Sequence, residues 1–258
     1  MQTVLFHSTI FGPIHSRRLG TSLGVNLSPV DGKICSFDCV YCEAGFNAQG
    51  QGKSGLPSRS TVREELEHKL SDMKAHGESL DVITFSGNGE PTLHPDFEGI
   101  IDDTISLRNQ YFPDVKISVL SNSTRLDREG VCRGLRKVDN NILKLDSAVT
   151  ATMRSMDCPN SPSFTSEGVI EQIAQFKEQC VVQTMMLRGE HNGVKIDNTT
   201  PQEVDALIAA YKRINPREVM LYSIDRKTPE ERLEKVSREE LEQIADRIRA
   251  NGIKVDVA

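Results

Sequence analysis

The sequence lacks the features that would place this protein in a membrane, outside the cell or on a nucleic acid. No apolar run approaches the ~18 residues that span a bilayer. Residues 1–7 lack the basic segment that begins a secretory signal. Lys and Arg number 31 against 37 Asp and Glu, a net charge of −6, so no broad basic surface is indicated for a nucleic acid, although local basic patches are not excluded. We therefore expect a cytoplasmic protein without a membrane partner.

A second group of clustered cysteines is also missing. Three of the six cysteines fall within eight residues, whereas the other three are scattered and have no Cys or His beside them: Cys132, Cys158 and Cys180. Structural zinc takes four ligands, usually as two close pairs, so this spacing disfavours it. Six cysteines without an export signal point to a reducing compartment and disfavour disulfides.

The three clustered cysteines, Cys35, Cys39 and Cys42, have a spacing that suits an iron–sulfur cluster. Thiolates are the usual protein ligands of such clusters. Three thiolates on a four-iron cube leave one iron without a protein ligand, and that iron is open to a small molecule. We therefore expect these cysteines to be the metal ligands of a single [4Fe–4S] cluster, because no further cysteine group is available for a second one.

Three stretches of the chain resemble the radical S-adenosylmethionine (SAM) superfamily. The clustered cysteines match its CxxxCxxC signature, with the aromatic Tyr41 just before the third cysteine. Residues 86–94, Ser-Gly-Asn-Gly-Glu-Pro-Thr-Leu-His, resemble its Gly-Gly-Glu-Pro segment. Residues 12–25 are similar to a narrower group, the small stand-alone radical SAM Fe–S oxidoreductases loosely related to wybutosine-synthesis proteins. The resemblance covers nearly the whole chain and implies a [4Fe–4S] cluster and SAM as cofactors.

Predicted strands and helices alternate along the chain, which is the pattern of a parallel sheet with crossover helices. The strands are predicted at residues 23–27, 82–86, 116–120, 142–145, 181–187, 219–222 and 253–257. Helices are predicted between them, at residues 95–108, 127–136 and 166–177 and after the N-caps Thr61, Thr200 and Ser237. These at least six strand–helix units indicate an α/β fold, a partial TIM barrel with a (β/α)6 radical SAM core.

A chain of 258 residues is long enough to form one such barrel. We therefore expect a single radical SAM domain over residues 1–258. It would comprise an N-terminal extension with the first strand (1–34), a cluster loop (35–58) and the remaining β/α units (59–258). Within the cluster loop, residues 44–58 are rich in Gly, Gln and Ser and are interpreted as a flexible connection; closure over substrate or docking of a reductase is the alternative.

The unusual polar groups of the sequence all follow predicted strands. Because the carboxyl ends of parallel barrel strands open onto one face, where active sites lie, we expect these groups to converge. The resemblance implies that SAM chelates the open iron and that one electron cleaves its carbon–sulfur bond to give methionine and a 5′-deoxyadenosyl radical. The cofactor-binding residues expected on this basis are Tyr41, Gly87, Asn88, Gly89, Glu90, Ser121, Asn122, Lys144, Asp146 and Arg188.

Several of these roles have an ordinary structural alternative. Residues 87–90 would meet the amino group of SAM or form a plain turn. Ser121 and Asn122 would bind ribose hydroxyls or end a strand. Lys144 lies in an apolar strand and needs an anionic partner, either the SAM carboxylate or Asp146. Arg188 is a further candidate for holding the SAM carboxylate. The resemblance implies that the backbone of Tyr41 faces the adenine; the alternative is an aromatic ring packed at the barrel mouth.

The sequence says less about the substrate. The catalytic residue is unknown, with Cys158, Asp225 and Arg226 as candidates; their alternatives are a bystander thiol and a mutual ion pair. Three basic residues before the first predicted strand would reach an anionic substrate or face solvent: His15, Arg17 and Arg18. Residues 185–189, Met-Met-Leu-Arg-Gly, stand where the superfamily's adenine-contacting strand often carries a Gly-rich signature, so the resemblance does not extend to that signature.

The resemblance therefore implies a radical SAM enzyme whose deoxyadenosyl radical abstracts hydrogen from a small molecule, a nucleoside or a peptide residue. It also implies an electron donor such as flavodoxin or ferredoxin. A glycyl-radical-enzyme activase and a non-catalytic Fe–S or SAM-binding module are the alternatives.

Overall fold

The protein, described by a computed structural model over residues 4–16 and 19–258, contains one mixed sheet with helices against it. The strands of these residues are β1 (Ile10–Ser16), β2 (Gly20–Val25), β3 (Val82–Phe85), β4 (Lys116–Ser121), β5 (Asn140–Lys144), β6 (Cys180–His191), β7 (Val194–Asp197), β8 (Glu218–Ser223), β9 (Leu233–Lys235) and β10 (Val255–Val257). The α-helices are α1 (Arg59–Ala75), α2 (Phe97–Tyr111), α3 (Glu129–Lys137), α4 (Thr150–Asp157), α5 (Ser166–Ala174), α6 (Pro201–Ile214) and α7 (Arg238–Arg249).

The sheet has the strand order β1-β2-β3-β4-β5-β6-β8-β10. Neighbours from β2 to β10 are parallel, while β1 is antiparallel to β2. β7 and β9 pair antiparallel with the end of the long strand β6. Within the described residues β1 and β10 end this order without pairing with each other, so the barrel is open. The predicted α/β partial barrel with six parallel strand–helix units is confirmed.

Alternation along the parallel strands separates an apolar outer face from a more polar inner one. Leu23 and Ile83 are fully buried in the main core with Leu66 of α1. Their strand neighbours Ser22 and Thr84 face the other way and share a hydroxyl hydrogen bond of 2.8 Å. The helices therefore cover the outer face, and the inner face and the strand ends are left for polar groups.

Two of the three predicted helix caps are confirmed, and one is wrong. The side chains of Thr200 and Ser237 accept from the backbone N–H three residues on, as N-caps do. At α1, however, the cap is Ser58, whose Oγ accepts from the backbone N–H of Thr61 at 3.1 Å, so the helix begins before Thr61. Ser58 and not Thr61 caps the helix because Ser58 has extended backbone angles, whereas Thr61 is already helical.

Four elements were not predicted: β1, α4, β7 and β9. The strand β1 holds a Gly-Pro pair, and α4 has eight residues and no side-chain cap at its start, so neither has a strong local signal. His15 lies exposed in β1 and not before the first strand, whereas Arg17 and Arg18 lie outside the described residues. In the described part of the chain, no helix combines the length and apolar character that crossing a membrane requires.

Candidate metal and cofactor site

The cysteine loop, residues 35–58, connects the first parallel strand to α1 and carries the clustered cysteines. Cys35, Cys39 and Cys42 are half-buried free thiols. The loop turns on itself between them, since the backbone N–H of Cys42 donates to Cys39 O at 3.0 Å. The backbone N–H of Gly45 then donates to Cys42 O at 2.9 Å. These turns bring a stretch with no α-helix of its own into a compact shape around the thiols.

The end of α4 holds the cysteine loop from one side. The backbone N–H of Asp38 donates to Asp157 O at 2.9 Å, and that of Asn160 donates to Ser36 O at 3.0 Å. Phe37 and Pro159 form an isolated antiparallel bridge between the same two segments. The helix α4, which sequence reasoning missed, is therefore a main support of the cysteine loop.

Three asparagine amides converge on Cys35. Asn47 and Asn160 donate to its carbonyl oxygen, at 3.4 and 3.1 Å. Asn122 donates to its sulfur, with 3.5 Å between Nδ2 and Sγ. The first ligand candidate is thus fixed at both its backbone and its side chain.

Lys33 is a buried cation beside the cysteines that sequence reasoning missed. Its side chain is 2% exposed, and its ammonium donates to Gly45 O at 2.6 Å and lies 3.4 Å from Asp38 Oδ1. Burial lowers the pKa of Lys33, but the negative field of the cysteines and Asp38 outweighs it, so the pKa is raised. The available signal was a basic residue two positions before the first cysteine of the motif.

Burial also acts on the thiols themselves. It raises the pKa of Cys35 to about 12, with a further contribution from the charge of Glu90, and it raises the pKa of Cys39 well above its ordinary value. Cysteine binds a metal as the thiolate, so binding of a cluster here would release the protons that the thiols carry in the metal-free protein. The positive charge of Lys33 would partly offset the charge of the resulting thiolates.

The donor set fits a cluster better than a single ion. Among the residues with described positions, no three Cys, His, Asp or Glu side chains surround one point that an ion could fill. The thiols of an iron–sulfur cube bind different iron atoms and need not converge on one point, as the ligands of one zinc ion must. Three soft sulfur donors on a supported loop are the chemistry that such a cube requires.

Residues 87–90 lie directly beside the cysteine loop. Gly89 forms a parallel bridge with Ile34, and the backbone N–H of Glu90 donates to Ile34 O at 3.0 Å. A Cβ on Gly89 would lie 1.9 Å from Ile34 O, so only glycine permits this approach. Gly87 lies at the same turn, while the buried amide of Asn88 bonds to the backbone of Phe6 at 2.8 Å.

Glu90 is a buried carboxylate that joins the segment after β3 to the end of β4. It accepts from the hydroxyl of Ser121 at 2.9 Å, from the backbone N–H of Asn122 at 2.6 Å, and from both the backbone and the hydroxyl of Thr92. Burial raises the pKa of Glu90, and these hydrogen bonds oppose the rise. Both carboxylate oxygens are already acceptors within the protein, so an amino group of SAM would share or displace an existing donor.

A second buried group, the Lys144 network, consists of Lys144, Asp146, Asp157 and Tyr41. The Lys144 ammonium contacts Asp146 and the Tyr41 hydroxyl and lies 2.7 Å from Asp157 Oδ1, while Tyr41 donates to Asp146. Of the two anionic partners considered for Lys144, the structure shows Asp146, and it adds Asp157. Asp146 is held in turn by the backbone N–H of Met185 at 2.9 Å.

Opposing effects set the charges in this network. Burial lowers the pKa of Lys144, but Asp146 and Asp157 raise it well above its ordinary value. Burial raises the pKa of Asp157 to about 8, against the attraction of Lys144. Burial also raises the pKa of Tyr41. The pKa shifts therefore favour a charged Lys144 beside protonated Asp157 and Tyr41.

The other predicted residues lie apart from these buried groups. Arg188 binds Glu240 and Thr199 at the base of the β6–β7 extension. Asp225 and Arg226 do not pair with each other; Asp225 lies 3.2 Å from Lys235, and Arg226 lies 2.6 Å from Glu43. These last four side chains are largely exposed.

Cys158 ends α4 in a left-handed backbone conformation, with its carbonyl accepting from the backbone N–H of Asp38 at 3.2 Å. Burial raises the pKa of its thiol to about 11, so the thiolate is disfavoured.

Residues 44–58, interpreted from sequence as a mobile connection, are tied down at Asp31. Its carboxylate accepts from the backbone N–H groups of Lys53 and Ser54 at 2.8 and 3.1 Å.

Comparison with known proteins gives curated relatives that are longer than this chain. A protein described as GTPase Obg from Brachyspira hyodysenteriae is 29% identical over 252 residues, which is 96% of this chain and 35% of that protein. A UPF0026 protein from Helicobacter pylori is 28% identical over 219 residues, 84% of this chain and 66% of that protein. This chain thus spans from about one third to just under two thirds of these two relatives.

Solved structures share the fold at low identity. A radical SAM methyltransferase from Sphaerobacter thermophilus superposes with a TM-score of 0.66 at 15% identity, over 92% of this chain and 65% of that chain. TYW1 with a lysine-pyruvate adduct bound gives a TM-score of 0.61 at 14% identity, over 90% of this chain and 75% of that chain. The model of the Radical SAM superfamily matches residues 30–191, which include the three clustered cysteines, the glycine segment, Glu90 and Lys144. This chain belongs to the radical SAM superfamily, whose members use a [4Fe–4S] cluster and SAM.

Proposed function

We propose that this protein ligates a [4Fe–4S] cluster through Cys35, Cys39 and Cys42 and cleaves SAM reductively to start hydrogen abstraction from a substrate. When bound, the cluster supplies one electron that splits SAM into methionine and a 5′-deoxyadenosyl radical, which takes a hydrogen atom from a carbon–hydrogen bond of the substrate. The observation that carries the proposal is the support of the cysteine loop. The backbone of the loop that carries the three thiols is held by the end of α4, by asparagine amides on Cys35 O and by the buried Lys33 on Gly45 O.

The surroundings of the loop support a SAM site on the same side. Gly89 is bonded next to Ile34, immediately before Cys35, and we propose that the backbone of residues 87–90 would help to hold SAM. Tyr41 lies between two of the ligands in sequence, and its hydroxyl is held by the Lys144 network. The full proposed set of cofactor-binding residues is Tyr41, Gly87, Asn88, Gly89, Glu90, Ser121, Asn122, Lys144, Asp146 and Arg188.

Each buried polar group has a physical task in this proposal. Glu90 fixes the ends of two strands beside the cysteine loop through bonds to Ser121 and Asn122. The Lys144 network keeps a buried ammonium neutralised, so its charge does not oppose the binding of a cationic sulfonium. Lys33 offsets part of the negative charge of the thiolates.

We propose one radical SAM domain over residues 1–258, because a single sheet and one main core run through the described residues.

Radical SAM enzymes need an electron donor and a substrate. The donor proposed here is a flavodoxin or ferredoxin. Substrate contacts are proposed for Cys158, Asp225 and Arg226, since the carbonyl of Cys158 bonds to Asp38 of the cysteine loop and Arg226, next to Asp225 in sequence, binds Glu43 just beyond Cys42.

Anaerobic reconstitution tests the proposal. Protein loaded with iron and sulfide, reduced with dithionite and given SAM is expected to release 5′-deoxyadenosine and methionine. Cys39→Ala should lose both the cluster and this product, because two thiolates hold a cube poorly. Cys132→Ser is the matched control, since Cys132 lies in α3, away from the loop, and donates to Leu126 O at 3.2 Å, a bond that serine can keep.

An intact cluster that yields no 5′-deoxyadenosine in the wild-type protein would contradict the proposed cleavage and favour a binding module. Iron content near two per chain, or zinc in oxygen-protected material, would contradict the ligand assignment. Where cleavage is seen, transfer of deuterium from labelled candidate metabolites into 5′-deoxyadenosine identifies the substrate class.

A further inference from the structure

The side chain of Asn122 belongs to a closed ring of hydrogen bonds beside Cys35. Its Nδ2 donates to Ser36 Oγ at 3.0 Å, and Ser36 Oγ lies 2.6 Å from Thr124 Oγ1. Thr124 Oγ1 donates back to Asn122 Oδ1 at 2.8 Å. Because the threonine proton is used on Asn122, the serine must donate to the threonine, and every hydroxyl in the ring has one defined role.

The ring fixes which end of the amide faces the cysteine. Asn122 Oδ1 accepts from both the backbone N–H and the hydroxyl of Thr124, at 3.1 and 2.8 Å, so the oxygen end lies toward Thr124. The residue is buried, and its backbone N–H is anchored to Glu90 at 2.6 Å. One proton of the amide nitrogen goes to Ser36, and the second is left for Cys35 Sγ at 3.5 Å.

A hydrogen bond to a ligand sulfur affects a cluster's reduction potential. The donor withdraws negative charge from the thiolate and favours the more negative, reduced state. The neighbouring asparagines do not have this effect by the same route, because Asn47 and Asn160 donate to the carbonyl oxygen of Cys35. Asn122 is thus set apart from them by the atom that it contacts.

We propose that Asn122 is a positioning residue that donates an N–H···S hydrogen bond to the Cys35 thiolate and makes the cluster easier to reduce. This inference rests on the proposed ligation of the cluster by Cys35. It differs from the ribose contact considered for Asn122, because both ends of the amide are already engaged with Thr124, Ser36 and Cys35. A ribose hydroxyl would have to displace one of these partners.

The test is an electron paramagnetic resonance redox titration of anaerobically reconstituted full-length protein without SAM. Asn122→Leu removes the donor without adding charge. Its midpoint potential is expected to be more negative, with about a tenfold lower ratio of reduced to oxidised cluster at the wild-type midpoint, as for loss of one hydrogen bond to a charged group. Thr124→Val is the matched control, since it breaks the ring but keeps the Asn122 donor, and its ratio should stay within about twofold of wild type.

Asn122→Ser is the second variant and keeps the test decisive if the leucine protein fails to assemble a cluster. Its hydroxyl is too short to reach Cys35 from the same backbone position, so it should also shift the midpoint to more negative potential. Wild-type midpoint potentials in the loaded Asn122 variants would overturn the inference. If these variants also bound SAM more weakly, the result would assign Asn122 to the ribose instead.

The inference and the proposed function fail separately. Absence of 5′-deoxyadenosine from fully loaded wild-type protein counts against SAM cleavage and leaves the SAM-free potentials unaffected. Equal potentials in a protein that does cleave SAM count against the role of Asn122 alone.

Discussion

The carboxyl ends of the parallel strands form one face of the molecule. Polar side chains on the two sides of this face are organised in different ways. At the ends of β3, β4 and β5, they are buried and bonded to one another, as Glu90 and the Lys144 network show. Near β6 and β8, Arg226 and its partner Glu43 are 60% and 43% exposed, and Asp225 and Lys235 are similarly open to solvent. The first side is part of the fold's interior, and the second lies on its surface.

This difference has an energetic meaning. A buried carboxylate or ammonium is costly to leave without partners, so the buried groups must keep their present contacts. Exposed ion pairs contribute little, because water solvates either member when the other moves away. The buried side is therefore suited to hold a fixed cofactor, and the exposed side is suited to exchange its partners for a substrate.

The largest expected effect comes from removing Glu90. Glu90→Ala leaves the Ser121 hydroxyl, the Asn122 backbone N–H and the Thr92 donors without an acceptor, and should lower the free energy of unfolding by about 3 kcal/mol or more. Urea unfolding of the cluster-free protein under reducing conditions measures this. Glu43→Ala, on the exposed side, is the matched control. A loss below about 1 kcal/mol for Glu90→Ala would show that the two sides do not differ as proposed.

A pH dependence of intermediate size is expected from Asp157. Burial raises the pKa of Asp157 from 3.8 to about 8, so folding binds a proton at this carboxyl. Its contribution to stability is fully present below the ordinary pKa of an aspartate and is lost as pH rises through the raised pKa.

Asp157→Asn isolates that contribution, since asparagine keeps the shape and an acceptor for Lys144 but does not titrate. The difference in unfolding free energy between wild type and Asp157→Asn should change steadily between pH 4 and pH 8, with the variant gaining relative stability as pH rises. A pH-independent difference would mean that Asp157 stays ionised in the fold.

Much of the fold was predictable because its signals are local. Apolar strands separated by capped helices gave six parallel units, and the buried faces of these helices follow from side-chain periodicity. The predicted ligands also share one loop, so their proximity follows from their spacing in sequence. No such signal exists for α4, whose role depends on its contact with residues 36–40, more than a hundred residues earlier in the chain.

The partners of the polar residues were the least predictable part of the site. Lys144 needed an anion on desolvation grounds, and Asp146 was one of the two named, but Asp157 belongs to the unpredicted α4. Lys33 was missed, because a single lysine two positions before a cysteine is a weak signal until its burial is known. Asn122 was identified as a polar strand end, whereas its contact with Cys35 requires the packing of two loops.

The smallest expected effect is that of Arg226→Ala on stability. Arg226 and Glu43 are bonded at 2.6 Å but are both largely exposed, so removing the guanidinium should change the free energy of unfolding by no more than about 1 kcal/mol. Urea unfolding measures the change, with Arg226→Lys as the variant that keeps the charge. A loss above about 2 kcal/mol would mean that this ion pair supports the turn after Cys42 and belongs with the buried groups. If Arg226 leaves Glu43 to bind a substrate, the loss of unfolding free energy in Arg226→Ala must be small. A single new contact with the substrate then compensates for breaking the ion pair.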